Sequence, residues 1–250
     1  MSFSLHDFGL HEMLRCGLDL RRDMQGAATL EEAARRVTRF FFDSAVDAES
    51  GARECALVRF FKTHAFGALE PDLRAFARAR MGGREPWDEM RCLVLLASSG
   101  EEPAWNSRRL SRGHRAIPLP SVEIVGRTPM VAELVREMGL DLEHVVAPRP
   151  ELVRGSEERA YNVFYVPEAG GSPVIPAQAD FVRPFGIRSV LGFGGLLLNG
   201  EMYAVVLFTR VPVPPASADR FRSIALDLRI AVSAFGEGHT FDPGVEVLAT

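Results

Sequence analysis

The chain is short of cysteine, almost devoid of lysine and without a long apolar run, and each shortage excludes something. Cys16, Cys55 and Cys92 are the only cysteines in 250 residues, widely spaced and without a C-x-x-C pair. An odd, scattered set of this kind excludes a disulfide framework and a zinc knuckle, so a cytoplasmic protein with reduced thiols is expected. Lys62 is the only lysine among 29 basic residues, which 33 acidic ones outweigh to a net charge of −4. With the basic residues scattered, no attraction to nucleic acid or to an anionic membrane is expected. No apolar run approaches the ~20 residues of a membrane span. The opening MSFSLHDFGLHEML puts His, Asp and Glu where a signal peptide needs a basic start and an unbroken apolar core, so no leader is expected.

What is present is apolar material enough for a sizeable core: 47 % hydrophobic residues, 17 of them phenylalanine. The strongest local signal is SVLGFGGLLLNGEMYAVVLF, residues 189–208, where two apolar arms flank Asn199-Gly200. That dipeptide predicts a hairpin closed by a type I′ turn. The second arm, 202–208, has almost no polar interruption and is expected to be a central strand buried on both faces. Gly192, Gly194 and Gly195 lie inside the first arm rather than ahead of a helix, which predicts a bulge or bend rather than a phosphate cradle.

Leu10, Met13, Leu14 and Leu18 recur at helical spacing to about Arg22. Thr29 with Glu32 reads as a capping box opening a helix whose stripe is Leu30, Ala33, Ala34, Val37 and Phe41. ALVRFFK (56–62), CLVLLA (92–97) and YNVFYV (161–166) read as strands. Pro71 and Thr128-Pro129 open further helices. The polar stretch 98–119 and the Gly/Pro-rich stretch 168–180 read as loops, the second long enough to line a site. After Pro212, Pro214 and Pro215, with Ser217 as its cap, a last helix carries Phe221, Ile224, Ala225, Leu228, Ala231, Val232 and Phe235 on one stripe. The sum is α+β: a central antiparallel sheet with helices on its faces.

The run FVRPFGIRSVLGFGGLLLNGEMYAVVLFTRVPVPPASADRFRSIALDLRIAVSAF, residues 181–235, resembles the C-terminal half of a GAF domain, as found in sensory regions of bacterial signalling proteins such as histidine kinases. The order of elements extends the resemblance back to about Ala27. It implies a GAF-like domain over 27–236, with a helical extension at 1–26 and a tail at 237–250. It also implies a stand-alone sensory or regulatory role: binding a small molecule, contacting a signalling partner, and dimerising through the terminal helices. The N-K-x-F-x-x-x-D-E signature of cyclic-nucleotide binders and the cysteine-bearing bilin pocket of phytochromes are both absent.

The residues themselves offer no catalytic constellation. The six histidines are dispersed along the chain, which argues against a metal site, and no G-x-S-x-G occurs. Thiol chemistry, in the manner of GAF-fold enzymes that reduce a small sulfoxide, is the enzymatic alternative, and a ligand-free scaffold the other. A binding pocket is the leading expectation, and the GAF resemblance implies that it lies on one sheet face, roofed by the helix from Thr128 and the loop 168–180. Its predicted lining is Tyr161, Phe164, Phe181, Phe185, Arg188 and Phe193, with Arg188 suited to a ligand's carboxylate or phosphate. Arg112, His114 and Arg115 form a small basic cluster read as solvated loop. No cofactor is indicated by any motif.

Overall fold

The computed structural model describes residues 2–148, 162–235 and 239–242. Six strands, β1 (Cys55–Ala65), β2 (Arg91–Gly100), β3 (Ala116–Leu119), β4 (Val163–Val166), β5 (Ser189–Leu196) and β6 (Met202–Thr209), form one antiparallel sheet in the order β3-β2-β1-β6-β5-β4. The fold is therefore α+β, as its sequence pattern implies.

Both arms of the hairpin are buried along their whole length, and β6 lies centrally between β1 and β5. The turn differs from the one expected. The Leu197 N–H donates to Glu201 O at 2.7 Å and the Gly200 N–H to Leu197 O at 2.9 Å. Gly200 has φ +81° while no residue other than glycine has positive φ among the described residues. A type I′ turn needs positive φ at both central positions; here a three-residue loop leaves that demand to Gly200 alone. Nor do the strand glycines mark a bulge, since β5 and β6 pair without a register shift. They are there for close approach. A Cβ at Gly192 would sit 3.0 Å from the Phe164 ring and 3.3 Å from Leu134, and one at Gly194 would overlap the Tyr203 carbonyl.

Two cores occupy the two faces of the sheet. One is covered by α1 (Leu10–Met24), α2 (Leu30–Ser44), α3 (Pro71–Arg78) and the last helix, which is numbered below. Thr29 caps α2 by accepting from the Glu32 N–H at 3.1 Å, while Glu32 accepts from the Ala28 N–H at 2.8 Å. All five expected stripe residues of α2 are buried. The N-terminal segment belongs to this same core: Phe3, Leu5 and Phe8 are buried, Phe3 bridges Ala45, and Ser4 donates to Glu54 at 2.7 Å.

The other face carries α4 (Val122–Gly126), α5 (Pro129–Glu137), α6 (Leu142–Val146) and the segment 168–187. The chain closes with α7 (Pro215–Asp219) and α8 (Phe221–Ser233). Ser217 falls inside α7 and donates to His6 O at 3.0 Å instead of capping α8. The stretch 98–119 expected to be loop ends in the edge strand β3, where Pro118 is tolerated because an edge leaves one row of backbone groups unpaired.

At one end of the sheet, on the face of α2 and α8, the buried Lys62 ammonium pairs with Glu201, whose other oxygen lies 3.4 Å from Arg91. His64 is buried next to this group, its ring 5.5 Å from that of Phe241. Burial, with Lys62 and Arg91 adding, holds its imidazole well below the ordinary value of 6.5. The unfolded chain therefore binds a proton that the folded one refuses as pH falls through about 6.5. Above that pH the ring is neutral in both states and costs nothing; below it His64 opposes folding progressively. Urea midpoints at pH 7.5 and 5.5 are expected to differ less for His64→Asn than for the wild type; an equal difference would mean the ring is protonated in place.

Candidate ligand cavity on the α5 face

Alternation along the strands puts Leu57, Arg59 and Phe61 of β1, and Ala204, Val206 and Phe208 of β6, on one face of the sheet. With Leu93 of β2 they floor a cavity of about 390 Å³. Its roof is the start of α5, from Thr128 through Met130 to Leu134, and its wall is the segment holding Ile175, Ala177, Asp180 and Phe181. Pro129 at the first position of α5 explains why the helix begins there: its missing N–H would have had no intrahelical partner. Roof and wall come from the helix at Thr128 and the segment after 168, the two that the resemblance implies. The size lies within the range of small-molecule sites, and the lining is mainly apolar.

An aromatic cluster forms one side. Trp105 lies 4.5 Å from Phe185 and 5.5 Å from Phe181, and Phe181 meets Phe208 edge-on at 5.0 Å. Gln178 ties the wall together, its amide donating to Ala169 O (2.9 Å) and Ile175 O (2.8 Å) while its carbonyl accepts from the Gly171 N–H (2.8 Å). These bonds tie the irregular part of the wall to a π-helical turn, Gln178–Val182, where the sequence pattern predicts only loop.

The six predicted lining residues separate. Phe181 lines the cavity. Phe164 is buried on the same face beneath Leu134, opposite Gly192 on β5, and supports the roof from behind. Phe185 is half-buried against Trp105 at the rim. Arg188 is exposed and outside the lining; only its backbone is engaged, its N–H donating to Thr209 O at 2.7 Å. Phe193 corrects the expectation outright: it points to the opposite face, between Phe41 (5.4 Å) and Phe221 (5.2 Å). A strand's period of two explains this, since Gly192 faces the cavity side and its neighbour must face away. Tyr161 lies outside the described residues.

Most of the lining lies outside the predicted set, Trp105, His114 and Arg59 included. Trp105 and His114 come from the polar stretch 98–119, which has no periodicity to place them. Arg59 did carry a signal: it is a lone charge inside ALVRFFK, a run otherwise reading as buried strand. In the basic cluster, Arg115 pairs with Asp72, and Arg112 accepts from Arg80 through its carbonyl at 2.6 Å.

The thiols lie elsewhere. All three are buried, and burial pushes each up, Cys92 to about 12, so none is a thiolate at neutral pH. Among the described residues no three His, Cys, Asp or Glu side chains are grouped to hold a metal ion, and no helix is long and apolar enough to cross a membrane.

No protein-family model and no curated protein matches the chain. Among solved structures it is similar to the phycoerythrobilin-bound GAF domain from a cyanobacterial phytochrome, with a TM-score of 0.42 and 12 % identity, over 93 % of this chain and 96 % of that one.

Proposed function

We propose that this chain is a GAF-like sensory or regulatory domain that binds a small molecule in the cavity between the sheet and α5. The observation that carries the reading is the cavity itself, apolar and walled by an irregular, side-chain-bonded segment rather than filled by core. Tight packing is the rule in protein interiors, and a space of this size is a functional feature more than a packing fault. No catalytic group is needed for such a role, and occupancy is read out by contact with a signalling partner.

The test is a melting-temperature screen against apolar and amphipathic metabolites. A compound at a hundred times its Kd adds about 2.7 kcal/mol to stability. Ala204→Phe, which fills the floor, is expected to abolish the response. A library without a single stabilising compound, or an Ala204→Phe variant that responds like the wild type, would refute the cavity as a ligand site.

The same reading places a second copy of the chain on the terminal helices. The buried face of α1 is Cys16, Gly17, Leu20 and Met24, leaving Leu10 (63 % exposed), Leu14 (58 %) and Leu18 (60 %) outward. Beside them on α8, Leu226 (44 %) and Ile230 (67 %) are also outward, and Arg21 pairs with Asp227 across the two helices. A two-fold pairing would bury this patch against itself. Wild-type protein is expected to sediment as a dimer at tens of micromolar and Leu14→Arg/Ile230→Arg as a monomer. A monomeric wild type at that concentration removes the dimer.

A further inference from the structure

We propose that the cavity takes an anionic amphipath, a carboxylate on an apolar body, and that Arg59 holds its acid group. The inference rests on the reading of the cavity as a ligand site and adds the chemical class. Arg59 lies in mid-β1 between Leu57 and Phe61, and its side chain opens onto a lining of aliphatic and aromatic residues. Among the described residues no carboxylate is within ion-pair distance of it, and its Nε, shielded from solvent, has no hydrogen-bond partner.

Other buried cations of this protein are treated differently. Arg108 meets Glu31 at 2.8 Å and Glu70 at 2.9 Å, and Lys62 and Arg91 share Glu201. Withdrawing a charge from water without a partner is costly, so a half-buried, unpaired guanidinium facing an apolar cavity is a feature that a ligand's charge would relieve. Desolvation lowers the Arg59 guanidinium only to about 10, which leaves it charged at neutral pH.

The surrounding groups do not supply the missing charge. Asp180 lies at the exposed rim. His114 is exposed at the mouth, and an imidazole carries no negative charge to offer Arg59. A carboxylate offers two oxygens to the planar fork of an arginine, and its apolar body would occupy the space toward Leu134 and Val206. A cation is repelled, and an uncharged ligand leaves the guanidinium desolvated without compensation.

Decanoate and decanol, the same body with and without the charge, are the probes. Trp105 lines the cavity and reports binding by its emission once the exposed Trp87 is replaced by phenylalanine. Decanoate is expected to bind about ten- to a hundredfold tighter than decanol, the range of a charge-assisted hydrogen bond. Arg59→Met should erase that preference, decanoate binding more weakly than to the wild type and decanol no more weakly, because the uncompensated charge is gone; Arg59→Lys should keep part of it. The melting temperature of unliganded Arg59→Met controls for folding; if that variant does not fold, the wild-type ratio and Arg59→Lys decide.

Decanol binding as tightly as decanoate, or a preference that survives in Arg59→Met, overturns the charge assignment and leaves the cavity reading standing. Failure of both probes to bind the wild type overturns the cavity reading as well.

Discussion

Replacing Glu201 by alanine is expected to lower the unfolding free energy by about 3–5 kcal/mol, the range for removing one partner of a buried ion pair. Glu201 is 5 % exposed and Lys62 6 %, so neither charge is hydrated where it sits. The carboxylate does three things at once. One oxygen accepts from Lys62 and from the Asn199 side chain at 2.7 Å, and the other faces Arg91 at 3.4 Å. It therefore joins the hairpin loop to β1 and to β2, three consecutive points along the sheet's end. Deleting it leaves two cations, close together and largely withdrawn from water, without the anion they share. Glu201→Gln keeps the shape and loses the charge, and is expected to fall nearly as far. Denaturant titration at pH 7.5 measures both. A loss below about 1 kcal/mol, the worth of an exposed pair, would mean that water reaches the site and that the cluster is a surface feature.

The second large effect separates two phenylalanines twelve residues apart. Phe193→Ala is expected to cost about 3–5 kcal/mol of stability, because its ring is fully buried between Phe41 and Phe221 and leaves a cavity behind. Decanoate affinity in that variant should stay at the wild-type value, since the ring is on the far side of the sheet. Phe181→Ala should do the reverse. Its half-buried ring lines the ligand cavity, so affinity falls severalfold while stability falls by less than for Phe193→Ala. Calorimetric titration alongside urea unfolding reads both axes for both variants. Equal stability losses, or a loss of binding in Phe193→Ala, would place Phe193 in the site after all.

That pair of residues also marks where local reading stops. Phe193 and Phe181 look alike in sequence, each an aromatic near a Gly-rich segment. Which face a strand residue occupies depends on the register of the pleat, and register here is set by pairing with β4 and β6, which bring Phe193 opposite Val163 and Val205. The exposed leucines of α1 are a similar case. Leu10, Leu14 and Leu18 follow helical spacing as faithfully as Cys16, Leu20 and Met24 do, and the spacing cannot say which stripe α8 covers. Thr29, by contrast, acts through its own neighbours, so its cap is visible in four residues.

The α+β class, the buried hairpin around Asn199-Gly200 and the capped helix at Thr29 were legible from residue order alone, because each depends on turn chemistry or periodicity within a dozen or so positions. The turn's actual geometry, the opposite destinations of Phe181 and Phe193, and the meeting of Arg59 with Trp105 and His114 were decided by packing. Contacts between residues distant in the chain follow from how strands pair and helices dock, and no short window of sequence contains that information.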